Sequence, residues 1–179
     1  MLDNDLIRLF IPVIRAGMTA WGYPDIVISQ AYQPTQQGAV PDLGIYFFKV
    51  SDHRYGFFKS DSKYNSLLGI AEDRYIQNYE TTFQVQAWSI QDPNDTSRPT
   101  ASDLVNMAAQ ALQNPSAVKV FKSSDVGILR VTDVRNPQFA DDRDRNEASP
   151  SFDFTLTHKQ IITAVYPAAV SIEGNIYEV

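Results

Sequence analysis

The sequence predicts one α+β domain, in which two helices cover one face of a mixed, mainly antiparallel β-sheet of about five to six strands. A length of 179 residues suits a single core. Two segments have the helical spacing of apolar residues, and several others alternate apolar and polar residues as strands do. The order is helix, three or four strands, helix and two strands, so we expect strand pairs to close by hairpins rather than by βαβ crossovers.

The first helix is predicted over residues 4–20, whose apolar residues recur at i, i+3, i+4 and i+7. Pro12 removes one backbone hydrogen bond, so we expect a kink there, or a second start of the helix near residue 12. The predicted apolar face consists of Leu6, Leu9, Phe10, Val13, Ile14, Gly17 and Trp21.

Two strands are predicted next, at residues 25–33 and 43–50, separated by a loop at 34–41. Residues 51–70 are polar with interspersed aromatic residues, which is typical of the outer arm of a long hairpin or of a flexible loop. We therefore expect the domain, residues 1–179, to carry an extended hairpin at 51–75.

The clearest strand is residues 75–90, where alternation predicts one buried face and one polar face. Two further strands are predicted at 126–134 and 151–162, with the charged segment 140–150 between them. Residues 168–179 are β-rich and are expected to form an edge strand or part of an extended arm at 166–179. The residues expected to pack under the helices are Phe83, Val85, Phe152 and Phe154, with Gln84, Gln86, Asp153 and Thr155 on the other face.

A second helix is predicted over residues 100–113, because Thr100 or Ser102 can cap its start and Asn114 and Pro115 end it. Its apolar stripe consists of Leu104, Ala108, Ala111 and Leu112.

The composition excludes several classes of function. A net charge of −6, with only 15 scattered Lys and Arg residues, argues against a general nucleic-acid binder. The absence of cysteine excludes disulfides, thiolate nucleophiles and cysteine-ligated zinc. The apolar run at the N-terminus is interrupted by Asp3, Asp5, Arg8 and Arg15, so we expect neither a signal peptide nor a membrane span.

No motif for catalysis or for a cofactor is evident. The chain has neither a G-x-S-x-G elbow nor a glycine-rich phosphate loop, and its two histidines lie far apart in sequence. His53 is expected in a turn or loop, and His158 on the polar side of a strand, exposed or hydrogen-bonded. We therefore expect no enzyme activity, no cofactor and no metal.

The densest charge cluster suggests three alternatives: a solvated loop, a calcium site or a contact between subunits. The order of the residues is not that of an EF-hand, and the interleaved arginines oppose a cation. Paired Asp and Arg suit a subunit contact. The cluster consists of Asp141, Asp142, Arg143, Asp144, Arg145 and Glu147.

The stretch 46–64 is rich in aromatic residues and mildly positive, with Arg54, Lys59 and Lys63 outnumbering the two aspartates. Exposed aromatic residues can stack on bases or sugars. Aromatic residues that alternate along a hairpin, however, more often form cross-strand pairs, belong to the core or line a protein interface.

The order of the elements resembles that of the tail terminator and neck proteins of tailed bacteriophages. The resemblance rests on the N-terminal helix that ends near Trp21, the segment AYQPTQQGAVP, the strand TTFQVQAWS followed by the helix DLVNMAAQALQ, and the late strand pair. In the corresponding segments of the family, a proline- and glycine-bearing loop, a strand with Thr ahead of a Q-V-Q sequence and a helix with small residues follow in order. Here these are residues 33–41, 81–86 and 101–112.

The resemblance implies a structural virion protein that forms a ring, with six copies expected, between the head connector and the tail tube and sheath. An acidic ring would let double-stranded DNA pass without specific binding. Its partners would be copies of itself, the tail proteins and the connector, and no membrane is implied. The subunit contacts are expected in the charged cluster and at Arg54, Lys59 and Lys63. The alternative is a small-molecule or carbohydrate-binding module that uses the aromatic residues of 46–64.

Overall fold

The structure is a computed structural model that describes residues 1–31, 42–65, 67–90, 97–140 and 146–167; for residues 138–140, 146–148 and 167 it describes the backbone only. Three helices and seven strands lie in these ranges. In chain order they are α1 (Asp3–Ala20), β1 (Val27–Gln30), β2 (Leu43–Asn65), β3 (Ile70–Ser89), α2 (Ala101–Gln113), α3 (Pro115–Ser123), β4 (Gly127–Val131), β5 (Gln138–Ala140), β6 (Asn146–Ala148) and β7 (Ser151–Pro167).

Five strands form one open mixed sheet in the order β1-β2-β3-β7-β4. The predicted α+β class is confirmed. The mixed character of the sheet is as predicted, but the expectation that strand pairs close by hairpins is wrong at one edge, where β1 pairs in parallel with β2, from Val27 opposite Gly44 to Gln30 opposite Phe47. The residues between these strands extend through 32–41, which lie outside the described ranges.

The hydrophobic core lies between one face of the sheet and the three helices. Phe10 of α1 is at its centre, with its ring 4.9 Å from that of Phe47, 5.1 Å from Phe83 and 5.2 Å from Phe154. The predicted alternation of β3 and β7 is confirmed, because Phe83, Val85, Phe152 and Phe154 are all buried. On the opposite face, Gln84 donates a hydrogen bond to Asp153 (2.9 Å), and Thr82 is hydrogen-bonded to Thr155 (3.0 Å).

Helix α1 is continuous across Pro12, so the expectation of a second start near residue 12 is wrong. The Asp5 carboxylate accepts a hydrogen bond from the Leu2 amide at 3.0 Å and so satisfies one of the amides left free at the helix start. Trp21 ends the helix as its C-cap and is about half exposed, so its predicted place on the apolar face is also wrong. Met18, one turn earlier, is buried and completes the core face of Leu6, Phe10 and Ile14.

Helix α2 begins as predicted. The Thr100 hydroxyl accepts a hydrogen bond from the Asp103 amide (3.0 Å), and the Asp103 carboxylate accepts one from the Thr100 amide (2.9 Å), which forms a capping box. Asn114 ends α2, but Asn114 also caps a further helix, α3, in which Pro115 takes the first position. The sequence predicts only a helix stop at Asn114 and Pro115 and no helix beyond them, so α3 is not predicted.

The charged segment 140–150 was predicted as a connection without strands. The structure instead has a small antiparallel pair there, β5 with β6, in which Phe139 lies opposite Glu147.

Candidate assembly surface

The sheet continues well past the core as a three-stranded arm, which consists of residues 51–65 of β2, 70–80 of β3 and 159–167 of β7. Within the arm, β2 and β3 pair from His53 opposite Glu80 to Asn65 opposite Ile70, and β3 and β7 pair from Asn78 opposite Lys159 to Ile70 opposite Pro167. The buried apolar residues of the core all lie outside the arm. Of the two predictions for residues 51–70, the long hairpin is therefore confirmed.

An irregularity in β2 distinguishes one edge of the arm from the other. Between Tyr55 and Lys59, three residues of β2 lie opposite a single residue of β3. Gly56 has φ of +72° there, a conformation that glycine adopts without steric cost. The bulge leaves Phe57 99% exposed, while the Phe58 ring stacks on that of Tyr75 at 5.6 Å. The β2 edge is therefore interrupted midway.

Asp73 of β3 connects all three strands of the arm. Its carboxylate accepts a hydrogen bond from the Tyr166 hydroxyl of β7 and one from the Tyr75 hydroxyl (3.4 Å). Hydrogen bonds from Ser62 of β2 and from Tyr166 hold the pKa of Asp73 below its usual value, and the bond to Asp73 raises the pKa of Tyr166. These polar contacts hold the arm together where apolar burial is lacking.

At the base of the arm, four polar side chains form a chain of contacts. The Lys49 ammonium lies 2.8 Å from Asp3 of α1 and 2.5 Å from Asp52. The Thr81 hydroxyl donates to Asp52 at 2.7 Å. Although partial burial opposes it, hydrogen bonds from Lys49 and Thr81 keep the pKa of Asp52 low. The same carboxylates raise the pKa of Lys49 against the effect of its burial. The contacts fix α1 to the start of the arm.

His158 ends this chain of contacts. Its Nε2 lies 2.9 Å from the Thr81 hydroxyl, which already donates its proton to Asp52, so the Nε2–H donates to Thr81. Its ring stacks on Tyr79, and its buried Nδ1 has no partner among the described residues. Burial, helped by the charge of the N-terminal ammonium, lowers the pKa of His158. The ring is therefore neutral at pH 7.

His158 is hydrogen-bonded, as one of the two predicted alternatives has it, but the prediction that it lies on the polar side of its strand is wrong. His158 is 7% exposed and lies on the same face as Phe154 and Leu156, at the point where the core ends and the arm begins. The period-two alternation that predicts Phe154 and Leu156 on the buried face also places residue 158 on that face, one step further along the strand. His53 lies in β2, and not in the predicted turn or loop.

Three of the predicted interface residues lie on the arm. Arg54, Lys59 and Lys63 are exposed on β2, and the Arg54 guanidinium lies over the Tyr79 ring, 6.0 Å from its centroid. Glu147 belongs to β6, where only the backbone is described. The other predicted interface residues lie outside the described ranges; they are Asp141, Asp142, Arg143, Asp144 and Arg145.

The aromatic residues of 46–64 do not gather at one site. Phe47 is in the core, Phe58 stacks on Tyr75, and Phe57 extends into solvent. Tyr46 has its hydroxyl buried without a partner among the described residues, and its burial raises its pKa. This dispersion does not form the concave aromatic pocket that a carbohydrate-binding module uses.

Strand β7 continues to Pro167, beyond the end at residue 162 that the sequence predicts. Its exposed side chains include Ile161, Ile162, Val165 and Tyr166. The β-branched composition of this stretch indicated a strand, but an apolar strand end that lies in solvent has no separate signature in a single sequence.

Within the described ranges, no three His, Cys, Asp or Glu residues stand close enough to hold a metal ion. None of the three helices is long and apolar enough to cross a membrane.

The fold is thus a mixed sheet with three helices on one face and a long projecting arm. Compared with known proteins, the chain matches the family model described as "E217 gateway protein gp29" over residues 5–168. Because the match spans the core and the arm, the chain belongs to this family of bacteriophage gateway proteins. The predicted resemblance to tail terminator and neck proteins is confirmed.

Among solved structures, the chain resembles the sheath/tube terminator of PVC, an extracellular contractile injection system, in its extended state. The TM-score is 0.50 at 12% identity, which supports a shared fold. The whole of this chain aligns with 64% of the terminator, so it spans less than two thirds of that protein's length. No curated protein matches.

Proposed function

We propose that this chain is a ring-forming terminator subunit in the neck or collar of a tailed bacteriophage. It is a structural virion protein, not an enzyme, made in the cytoplasm of the bacterial host. Its ring of six copies closes the end of the tail tube and sheath, joins them to the head connector and leaves a channel for DNA. Residues 1–179 form the one domain of this subunit.

The observation that carries the proposal is the arm. In the described part of a monomer, Phe57, Tyr64, Ile162 and Val165 lie in water at 99%, 60%, 61% and 58% exposure, on strands that none of the three described helices covers. Tyr64 and Ile162 lie on one face of the arm and Val165 on the other, so both faces expose apolar side chains, and large exposed apolar surfaces mark interaction sites in soluble proteins. A chain with a complete core of its own and an uncovered arm suits a subunit whose arm is covered by other subunits.

The family match and the charge support the same role. Residues 5–168 match gateway proteins, and the structural neighbour is by its title a sheath/tube terminator. A net charge of −6 on each copy gives the channel an acidic wall, which makes few contacts with phosphate and lets DNA move through.

A stop codon early in this gene, in the phage that carries it, tests the proposal. In a host that does not read through the codon, we expect DNA-filled heads and tails that do not join, visible by negative-stain electron microscopy. A plasmid copy of the gene restores infectious particles. Normal particles without the protein would contradict the proposal. A copy number other than six in mass spectrometry of isolated necks would also contradict it.

A further inference from the structure

The arm has two long edges that carry no backbone partner among the described residues. On one side, β1 covers β2 only as far as Phe47, and no other described strand lies beside residues 51–65. On the other side, β4 covers β7 only as far as Thr157, and the N-terminal ammonium donates to the Lys159 carbonyl. Residues 160–167 have no backbone partner on this side among the described residues. Unpaired edges of this length are templates for a further strand.

The two edges differ in how open they are to such pairing. The β7 edge from Gln160 to Tyr166 has no charged residue and no bulge. The β2 edge is interrupted at Tyr55–Lys59, so its regular outer part is residues 60–65. This part carries Asp61 and Lys63, which would lie beside uncharged residues if β7 were the partner strand.

The directions of the strands determine which symmetry can join these edges. Both β2 and β7 are antiparallel to β3, so both run in the same direction along the arm. A rotation that carries one subunit to the next keeps the arms pointing the same way and brings the β2 edge of one copy against the β7 edge of its neighbour in parallel. That is a head-to-tail contact, as a closed ring requires, whereas a two-fold axis would join identical edges in antiparallel pairs.

The register follows from the pairing within one arm. Ser60 and Ile162 both lie opposite Tyr75, and Lys63 and Val165 both lie opposite Glu72. When the arms stand along the ring axis, rotation keeps each residue at its own height, so Ser60 of one copy comes level with Ile162 of the next. The Lys63 side chain can then lie with its methylene groups along Val165.

We propose, building on the ring-forming function above, that the arms of adjacent copies join edge to edge in this level register, β2 to β7, into one sheet continuous around the ring. The occupant of the β7 edge is thus residues 60–65 of a second copy of this chain.

Disulfide cross-linking tests the contact, since the chain has no cysteine of its own. Within one copy, Ser60 and Ile162 are separated by the width of β3, which puts their Cα atoms about 10 Å apart and beyond the reach of a disulfide. Between neighbours in the proposed register the spacing is about 5 Å, within reach. In the double variant Ser60→Cys with Ile162→Cys, any disulfide between the two positions therefore joins two copies.

The double variant is supplied from the plasmid to the phage with the stop codon, and purified particles are oxidised with copper phenanthroline. We expect a ladder of covalent multimers on a non-reducing gel. The control pair Ser51→Cys with Ile162→Cys differs in height by seven residues, about 23 Å, and is expected to give no ladder.

Infectivity under reducing conditions separates the contact from the function. Infectious particles without the ladder would overturn the edge contact and leave the terminator function intact. Dimers from Ile162→Cys alone would also overturn the contact, because they indicate a two-fold β7 pair. If the first pair impairs folding, Lys63→Cys with Val165→Cys tests the same register on the opposite face of the arm.

Discussion

Gly17 of α1 lies directly against Ala111 of α2. A Cβ atom built on Gly17 would come within 2.3 Å of the Ala111 Cβ atom, far closer than two carbon atoms can approach. The two helices therefore cross with only hydrogen between the backbone of α1 and the alanine methyl group, and the apolar stripe of small residues predicted for α2 serves this close approach.

The first prediction is that Gly17→Ala lowers the free energy of unfolding by about 1–3 kcal/mol, because an added methyl overpacks the crossing. Helix propensity alone would favour alanine there by about 1 kcal/mol, so the sign of the change is informative. Adding Ala111→Gly to Gly17→Ala is expected to restore part of the loss. Urea denaturation measures both, with the exposed Ala16→Gly as the control for propensity. A stabilised Gly17→Ala would mean that the helices stand further apart.

The second prediction concerns Phe83, which is 1% exposed and packs against Phe10 and Phe154. Phe83→Ala is expected to lower the free energy of unfolding by about 3–5 kcal/mol through lost burial and the cavity it leaves. Phe57→Ala is the matched control, since Phe57 is 99% exposed, and its effect should stay within about 0.5 kcal/mol. Similar losses for the two variants would contradict the division into core and arm.

Periodicity predicted the core because burial of a strand or a helix repeats along the chain. The alternation in residues 75–90 identified the buried face of β3, and the spacing of Leu6, Phe10 and Ile14 identified that of α1. The parallel pairing of β1 with β2 could not be predicted in this way, since a period of two is the same in both pairing directions. Nor could the third helix, because Pro115 suits both the end of one helix and the first turn of the next.

The candidate assembly surface was only partly predictable. The sequence predicts Arg54, Lys59 and Lys63 as interface residues because the polar residues 51–70 indicate an extension that the core does not need. Two features that define the surface depend on tertiary structure: the bulge at Tyr55–Lys59 and the uncovered end of β7. Which strand lies next to another at a given height is a property of the whole sheet, and local sequence carries little information about it.

The third prediction is a pH dependence from His158. Because its pKa is lowered in the folded protein, the unfolded chain binds a proton at this residue more readily than the folded one. Stability therefore falls as the pH drops below the ordinary histidine value of about 6.5 towards the folded pKa, by at most about 1.4 kcal/mol per pH unit. Asp52 and Asp73, whose pKa values are lowered, lose their stabilising effect only at more acidic pH, below about 4.

Urea midpoints at pH 7.5 and 5.5 measure this effect. His158→Gln should have a smaller difference between the two midpoints than the unmodified chain, and His53→Gln should keep the full difference. An unchanged difference in His158→Gln would rule out His158 as its source.

The fourth prediction separates the stability of the arm from that of the core. Asp73→Asn removes the charge that accepts hydrogen bonds from Tyr166 and Tyr75, and Tyr166→Phe removes one of those donors. Both changes lie outside the core, so each is expected to leave the cooperative urea transition within about 0.5 kcal/mol of the unmodified protein. The amides of residues 70–76 and 161–166 should nevertheless exchange faster in hydrogen–deuterium exchange, since local opening needs less free energy than global unfolding.

The same exchange measurement distinguishes a free arm from a covered one. In isolated subunits, amides on the outer edge of β7 are expected to exchange faster than those of Phe83 and Phe154, whose strands are paired on both sides. In assembled particles the β7 edge should become protected while the core amides stay unchanged, because only the arm gains a backbone partner. Tyr166→Phe should delay that protection, and Tyr23→Phe, a matched substitution outside the arm, should not. Equal exchange of the β7 edge before and after assembly would show that the arm stays in solvent and that subunits meet elsewhere.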